Sequence, residues 1–293
     1  MNATTKAFLQ LHTAVFLAGF TGVLGRLIDL NEGWLVWYRM LLSTLILLLI
    51  LLFSKKSIRI ERKYLFQCIS VGGMIALHWV FFYGSIKYAN ISIALVCFAA
   101  TGSFTAILEP MIYKRKIDLF EILLGLLVLL GIYLMFHFDV QYKTGILLGV
   151  AAAFLSTLFP IFNKRIIQKV PAANLTLYEL GGGWLLLSLL LPFYLQFSPA
   201  STAIPSVSDW FWLLMLSIFC TVLAFQLSVS ALKKISAFTA NLTYNLEPVY
   251  GIALAFFIYH ENKDLGKGFY LGISLILLSV LIQTLRVWKK RTT

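Results

Sequence analysis

The sequence predicts an all-α integral membrane protein with ten transmembrane helices, arranged as two inverted five-helix repeats. Composition is the first indication, because 60% of the 293 residues are hydrophobic, 12% are charged and the mean hydropathy is +0.88. A soluble domain of that composition would expose large apolar patches to water. The second indication is a series of long, continuous apolar runs, which favour helices over the short alternating segments of a membrane β-barrel. The third is a weak internal repeat.

Ten apolar runs are long enough to cross a bilayer, whose hydrocarbon core of about 30 Å needs roughly 20 residues of helix. They are residues 7–27, 34–54, 64–86, 91–113, 119–137, 145–166, 174–197, 210–231, 236–260 and 266–288. The longest connection, QFSPASTAIPSVSDW, is a Pro- and Ser-rich loop between the seventh and eighth runs. We therefore expect both halves to fold as one body.

The net charge of +12 is explained by orientation in the membrane rather than by nucleic acid, which is not an expected partner. If the amino terminus is cytoplasmic, 18 of the 24 Lys and Arg residues fall in cytoplasmic segments. The cluster of Lys114, Arg115 and Lys116 is typical of them. The positive-inside rule therefore predicts two cytoplasmic termini in a multi-pass protein of the plasma membrane, which in a bacterium is the inner membrane.

The internal repeat relates residues 1–140 to residues 141–293. A shift of 146 positions pairs identical residues, among them Lys87 with Lys233 and Asp118 with Asp264. A shift of 140 pairs Tyr38-Arg39 of the second run with Tyr178-Glu179 of the seventh, as one loop insertion or deletion would produce. Because each half has an odd number of spans, the second half enters the membrane inverted, and such repeats place their sites near the midplane.

The cysteines give no sign of a metal or disulfide site. Cys68, Cys97 and Cys220 are isolated in apolar runs, without a CxxC motif or an even framework. No metal, cofactor or catalytic residue is predicted, and the oligomeric state is left open.

A carboxylate and a proline interrupt the ninth run, NLTYNLEPVYG. Glu247 lies near the bilayer centre, where ionisation costs a few kcal/mol, so it must face water, find a partner or be protonated. Pro248 predicts a kink, and therefore a hinge. Asn241 and Asn245 share one helix face and Tyr244 an adjoining one, which indicates a helix that lines a pocket. The alternative is a neutral Glu247 that joins two helices as structural glue.

Two further charged residues lie inside apolar runs. Arg39 is about five residues below the outer end of the second run, where it either snorkels to the headgroups or clamps an anion, or pairs with Glu247. Glu179, preceded by Tyr178, occupies the mirrored position in the seventh run and is either interfacial or part of the cavity.

Aromatic and hydroxyl residues complete the candidate cavity. Trp79 and Tyr83 are four residues apart and form either a cavity wall or ordinary packing. Thr101 stands in the first half where Glu247 stands in the second.

The segment ALKKISAFTANLTYNLEPVYGIALAFFIYHENKDLGKGFYLGISLILLSVLIQ resembles the second repeat of the EamA-like family in the drug/metabolite transporter superfamily. The shared features are Ala231-Leu232, Lys233-Lys234, Glu247-Pro248, Glu261 and Gly272. The similarity covers nearly the whole chain, but the first half departs from the pattern at Thr101. The resemblance implies a ten-helix carrier that moves small metabolites, commonly outward, by alternating access.

We therefore predict a secondary transporter that exports small metabolites such as amino acids, whose two charges match Glu247 and Arg39. Its partners are the small-molecule cargo and the lipid bilayer, with protons as a candidate coupling ion. The alternative is an integral-membrane enzyme acting on a lipid or prenyl substrate, for which Asp118 and Glu121 are the nearest approach to an acidic cluster. A channel is a third interpretation, without a recognisable filter.

Overall fold

The computed structural model describes residues 3–138, 140–197, 203–235, 237–244 and 246–292, which fold into helices joined by short connections. Eight helices are long and apolar enough to span a membrane: Ala3–Arg26, Glu32–Phe53, Arg62–Tyr88, Ile91–Tyr113, Leu119–His137, Val140–Ile166, Ala172–Gln196 and Val207–Ala231. Two shorter apolar helices follow, Glu247–Tyr259 and Lys267–Ile282. The chain is thus a multi-pass helical membrane protein, and the count of ten spans remains a prediction.

The helices are numbered here in chain order. They are α1 Ala3–Gly19, α2 Thr21–Arg26, α3 Glu32–Phe53, α4 Arg62–Tyr88, α5 Ile91–Phe98, α6 Ala100–Tyr113, α7 Leu119–Phe138, α8 Lys143–Ile166, α9 Ala172–Phe197, α10 Val207–Ser217, α11 Ala224–Ala231, α12 Ala237–Tyr244, α13 Glu247–Tyr259 and α14 Lys267–Thr292. A π-helical segment, Ile218–Leu223, joins α10 to α11.

Side-chain caps fix where several helices begin. The Asn31 side chain accepts a hydrogen bond from the backbone N–H of Trp34 at 2.8 Å, and Asn90 does the same for Ile93 at 2.8 Å. At α10, Ser206 and Asp209 form a reciprocal capping box. These short polar residues satisfy backbone donors that the first helical turn leaves open.

The prediction of a kink at Pro248 needs correction, because the helix stops and restarts there. α12 ends at Tyr244, and α13 begins at Glu247 with Pro248 in its first turn. Between them, the Leu246 N–H donates to the Thr243 carbonyl at 3.0 Å. A proline in the first turn costs no intrahelical hydrogen bond, so the sequence EP starts a new helix rather than bending an old one.

The corresponding place in the first half is also broken. α5 ends at Phe98 and α6 begins at Ala100, and Phe98 lies 146 positions before Tyr244, where α12 ends. The shift that aligns identical residues between the halves therefore also aligns the two helix breaks.

The long helix α4 packs chiefly against α8 and α9. Glycine allows its contact with α9, because a Cβ atom at Gly72 would overlap the backbone carbonyl of Glu179. A Cβ atom at Gly183 of α9 would likewise overlap the Gly72 carbonyl. Helices in a membrane associate through such close backbone approach, since lipid supplies little hydrophobic driving force.

Polar contacts join the chain at the end where α2 ends and α3 begins, which we call the far end. The Glu261 carboxylate pairs with Arg26 and accepts hydrogen bonds from the backbone N–H groups of Ile91 at 3.1 Å and Ser92 at 2.9 Å. The Ser92 hydroxyl adds a bond of 2.6 Å. A carboxylate here also complements the positive N-terminus of α5.

Three further contacts tie the far end together. The Asp29 N–H donates to Asp209 Oδ1 at 2.7 Å, Tyr194 bonds Glu32, and the Lys87 ammonium bonds the backbone next to the α2–α3 turn. The opposite end, where α1 begins, is called the near end below.

Candidate functional site

A cavity of about 70 Å³ lies among helices of both halves, with room for a few water molecules. It reaches Asn163 and Leu232, at the near-end termini of α8 and α11. Its lining residues are Ala18, Thr21, Arg39, His78, Trp79, Phe82, Phe98, Thr101, Ser156, Phe159, Pro160, Asn163, Cys220, Ala224, Phe225, Ser228, Val229, Leu232, Ala240, Tyr244 and Glu247. The cavity therefore extends from the bundle interior toward the near end, while the contacts around Glu261 close the far end.

Arg39 is the permanent charge in this cavity. Its Nε atom donates to Thr221 Oγ1 at 2.8 Å, and Nη1 donates to the Tyr83 hydroxyl at 2.9 Å. Nη2 donates to the Cys220 carbonyl at 3.3 Å, and the guanidinium lies 3.7 Å from the centre of the Trp79 ring. With 1% of its surface exposed, Arg39 does not snorkel to the membrane surface.

The π-helical segment explains how α10–α11 can bind this arginine. Thr221 accepts from Arg39 while its own hydroxyl donates to the Leu216 carbonyl at 3.0 Å, five residues earlier. A π turn displaces the normal helical hydrogen bonds, and here the carbonyl of Cys220 is left available for the guanidinium. The sequence carries no recognisable signal for such a segment.

Glu247 lies in the first turn of α13, on the same cavity as Arg39. Its side chain is 6% exposed. Between the described side chains of Arg39 and Glu247, no ion pair forms within 4.0 Å. The cavity therefore presents a cation and a carboxyl group as separate features rather than as a neutralised pair.

Aromatic rings form much of the remaining wall. Trp79 and Phe225 meet edge to face with ring centres 5.7 Å apart, and they are 146 positions apart in the sequence. The His78 ring lies 5.7 Å from Phe98 and 5.8 Å from Phe159. Its Nδ1 is 2.8 Å from the Ala152 carbonyl, which only accepts hydrogen bonds, so Nδ1 carries the proton.

Hydroxyl groups surround the break between α5 and α6. Thr101 Oγ1 donates to the Phe98 carbonyl at 2.6 Å and lies 3.0 Å from Ser156 Oγ. The Thr105 hydroxyl donates to the Thr101 carbonyl at 2.7 Å. Thr101 thus lines the cavity as a neutral, hydrogen-bonded residue.

Several predicted site residues lie elsewhere. Tyr83 does not line the cavity but supports Arg39 from behind. Tyr178 points to the near end, where its hydroxyl donates to the Ile58 carbonyl at 2.9 Å, and it is not among the residues that line this cavity. Glu179 is 0% exposed and is not among the residues that line the cavity. Pro248 starts α13 without lining the cavity.

The side chains of Asn241 and Asn245 lie outside the part of the chain that the structure describes. Asn241 falls within α12, and Asn245 lies outside the described residues. Their proposed cavity roles remain predictions.

Sequence reasoning missed residues on two lining helices. Ser156, Phe159 and Asn163 line the cavity from α8, and Phe225 lines it from α11. The repeat offers a signal for Phe225, since it is the partner of Trp79 at the shift of 146. Among the described residues, no group of three or more His, Cys, Asp or Glu side chains is placed to hold a metal ion.

The fold and the cavity define a multi-pass helical membrane protein with a polar chamber between its helices. The sequence profile of the EamA-like transporter family matches residues 5–137 and again residues 143–285. The chain belongs to the EamA-like transporter family, in the drug/metabolite transporter superfamily, and the resemblance drawn from the sequence is confirmed.

Similar proteins carry transporter names. A Bacillus subtilis protein, "Uncharacterized transporter YetK", is 23% identical over 96% of this chain and 87% of its own length. A Haemophilus influenzae "Uncharacterized transporter" is 26% identical over 50% of this chain, and the match spans 51% of that protein. A solved structure titled "Crystal structure of protein" superposes with a TM-score of 0.69 at 16% identity, over 95% of this chain and 97% of its own, and shows the fold alone.

Proposed function

We propose that this transporter is a secondary carrier that exports small zwitterionic metabolites, such as amino acids, by alternating access. In this proposal the ten predicted spans form two inverted five-helix repeats, and both termini are cytoplasmic. Cargo would enter from the near end and leave through the far end. The cavity's extension toward the near end, together with the closed far end, supports an inward-facing form.

The observation that carries the proposal is the unpaired arrangement of Arg39 and Glu247. Arg39 is charged at any physiological pH and is almost completely removed from water. Its partners are a hydroxyl of Thr221, a hydroxyl of Tyr83, a carbonyl and a ring, none of which carries a negative charge. A buried charge without a counter-ion is costly, so an anionic group of the cargo is well placed to complete the site.

Glu247 supplies the opposite recognition element. Its carboxyl group faces the cavity, where it is suited to accept hydrogen bonds from an amine of the cargo. A molecule with both a carboxylate and an ammonium would satisfy Arg39 and Glu247 together. The aromatic rings of Trp79, Phe225 and Phe159 offer apolar contact to the rest of such a molecule.

Counterflow in proteoliposomes tests this proposal. Vesicles loaded with unlabelled amino acids should accumulate the matching radiolabelled amino acid in a saturable way. Removing the cation in Arg39→Met should weaken exchange by about 100-fold, or roughly 3 kcal/mol, whereas Arg39→Lys retains the charge and should lose about tenfold. Equal exchange by wild type and Arg39→Met would contradict the anion clamp.

The same vesicles test the other interpretations of the sequence. Conversion of an added lipid or prenyl substrate would support an enzyme, and ionic conductance without saturation would support a channel. Saturable counterflow with neither product nor conductance supports the carrier.

A further inference from the structure

Glu179 is a fully buried carboxyl group outside the cavity, and neither of its oxygens receives a hydrogen bond. It lies in α9 with 0% of its surface exposed. No described Lys, Arg or His side chain approaches it within 4.0 Å. An ionised carboxylate in such a place would be uncompensated by either water or a cation, at a cost of several kcal/mol. The surroundings therefore favour the neutral acid.

The side-chain oxygen of Asn163, the neighbour of Glu179, also receives no hydrogen bond. The Asn163 side-chain amide of α8 lies next to the Glu179 carboxyl group, and its Oδ1 atom is buried without a partner. A carboxylate oxygen and an amide oxygen both only accept hydrogen bonds, so they cannot bond each other. A protonated Glu179 would donate its O–H to Asn163 Oδ1, which would satisfy both oxygens. If Glu179 lost that proton, the amide could turn by half a rotation and donate an N–H instead. Asn163 thus fits both protonation states.

The other ionisable groups around Glu179 are few. On α4 the titratable neighbour is Cys68, which lies within electrostatic reach of Glu179. On α3, Arg39 is held on the cavity by Thr221 and its other partners, and on α8, Lys164 donates to two backbone carbonyls. α11, the remaining helix packed on α9, contains no ionisable residue.

Asn163 connects this carboxyl group to the cavity. It lines the cavity wall, whereas Glu179 lies behind it. A proton that leaves Glu179 therefore has cavity water as its nearest acceptor, with Asn163 alongside the route. The arrangement separates cargo recognition, at Arg39 and Glu247, from the place where a proton is held.

We propose that Glu179 and Asn163 form a proton-binding site that couples transport to a proton gradient. The inference rests on the proposed carrier function. In the coupled step the carboxyl O–H bond breaks, the proton passes to a cavity water, and the resulting carboxylate accepts an N–H from the turned amide of Asn163. The reverse transfer restores the acid when the cavity faces the other side.

Infrared spectroscopy of the purified full-length chain in lipid nanodiscs tests the site without any cargo. The carbonyl-stretch band of a protonated carboxylic acid should be present in the wild type, absent in Glu179→Gln and retained in Glu247→Gln. In Asn163→Leu the band should move to higher wavenumber, because the acid loses its hydrogen bond. A band that survives in Glu179→Gln unchanged would overturn the assignment.

Transport tests the coupling. Proteoliposomes are given the radiolabelled amino acid that the wild type exchanges fastest, with and without an imposed pH gradient. The gradient should accelerate wild-type uptake, whereas uptake with and without it should become equal in Glu179→Gln. An unaltered response to the gradient in Glu179→Gln would overturn the coupling and leave a purely structural acid. If no amino acid is exchanged by the wild type, the proposed function fails, while the infrared band still decides whether Glu179 holds the proton.

Discussion

The break between α5 and α6 and the break between α12 and α13 correspond to within one residue at the shift of 146, and residues from both line the cavity. At the first break, Thr101 is tied to the Phe98 carbonyl and lies next to the Ser156 hydroxyl. At the equivalent position of the second, Glu247 faces the cavity at the start of a helix. The two halves therefore share an interrupted helix at equivalent positions, and the second half places a carboxyl group there.

The largest expected difference between the two breaks is electrostatic. Glu247→Gln keeps the size of the side chain but removes its charge, so exchange of an amine-bearing cargo should fall by about 100-fold, or roughly 3 kcal/mol. The matched change at the first break, Thr101→Val, removes one hydroxyl and should cost about fivefold, or roughly 1 kcal/mol.

Initial rates of counterflow for both variants, normalised to the amount of protein inserted, measure this difference. Equal losses in the two variants would mean that both breaks contribute equally to cargo binding, and would contradict a dominant role for the Glu247 carboxyl group.

Packing beyond the breaks should also differ. Gly251 of α13 and Thr105 of α6 occupy equivalent positions, and a Cβ atom at Gly251 would overlap the Leu95 side chain and lie 3.1 Å from the Gly19 carbonyl. Gly251→Ala should therefore destabilise the protein by about 1–3 kcal/mol. Thr105→Ala removes the hydroxyl that donates to the Thr101 carbonyl and should cost about 1 kcal/mol. Thermal unfolding in one detergent compares the two, and a more stable Gly251→Ala would contradict the close contact.

Substitution of the prolines should have a smaller effect, on the rate of exchange. Pro248 stands in the first turn of α13, whereas Pro110 lies inside α6. Pro248→Ala allows α12 and α13 to become more continuous, which should slow exchange by about fivefold, equivalent to roughly 1 kcal/mol in the barrier. Pro110→Ala is the matched control away from either break. A larger effect at Pro110 would place the moving joint in α6 instead.

The smallest expected effect concerns the far end, where the two halves meet through Glu261. Glu261→Gln weakens the contact with Arg26 and with the N-terminus of α5, and should favour opening by about 1 kcal/mol or less. Opening exposes Cys220, which lines the cavity and is 4% exposed in this form. Modification of Cys220 by a membrane-impermeant maleimide, in a background with Cys68 and Cys97 replaced by Ala, should therefore be faster. Slower modification would contradict the role of Glu261 in closure.

Much of the fold was accessible from the sequence because apolar length is a physical requirement of the bilayer. The first eight predicted runs agree with the eight helices long enough to span a membrane to within a few residues, as for 34–54 against Glu32–Phe53. At Pro248 the sequence predicted a kinked helix, whereas the structure begins α13 at Glu247, because the sequence EP fits both a kinked helix and a helix start. The direction of a side chain was harder to predict from the sequence. Tyr178 faces the near end, although the shift of 140 pairs Tyr178-Glu179 with Tyr38-Arg39 and so suggested the cavity.

The candidate site was predictable where a residue is costly in lipid. Arg39 and Glu247 stood out for that reason, and both line the cavity. Thr221 and Asn163 did not, because small polar residues are tolerated in membrane helices and carry no comparable signal. The π segment that brings the Cys220 carbonyl to Arg39 depends on tertiary contacts and has no local pattern.

Glu261 bears on biosynthesis as well as on gating. The backbone amides of Ile91 and Ser92 receive their carboxylate from a residue 170 and 169 positions later. A ribosome must therefore have made nearly the whole polypeptide before this corner of the first half is complete. Until then, these amides depend on water or on the insertion machinery, and a truncated chain would display an unfinished surface to cellular quality control.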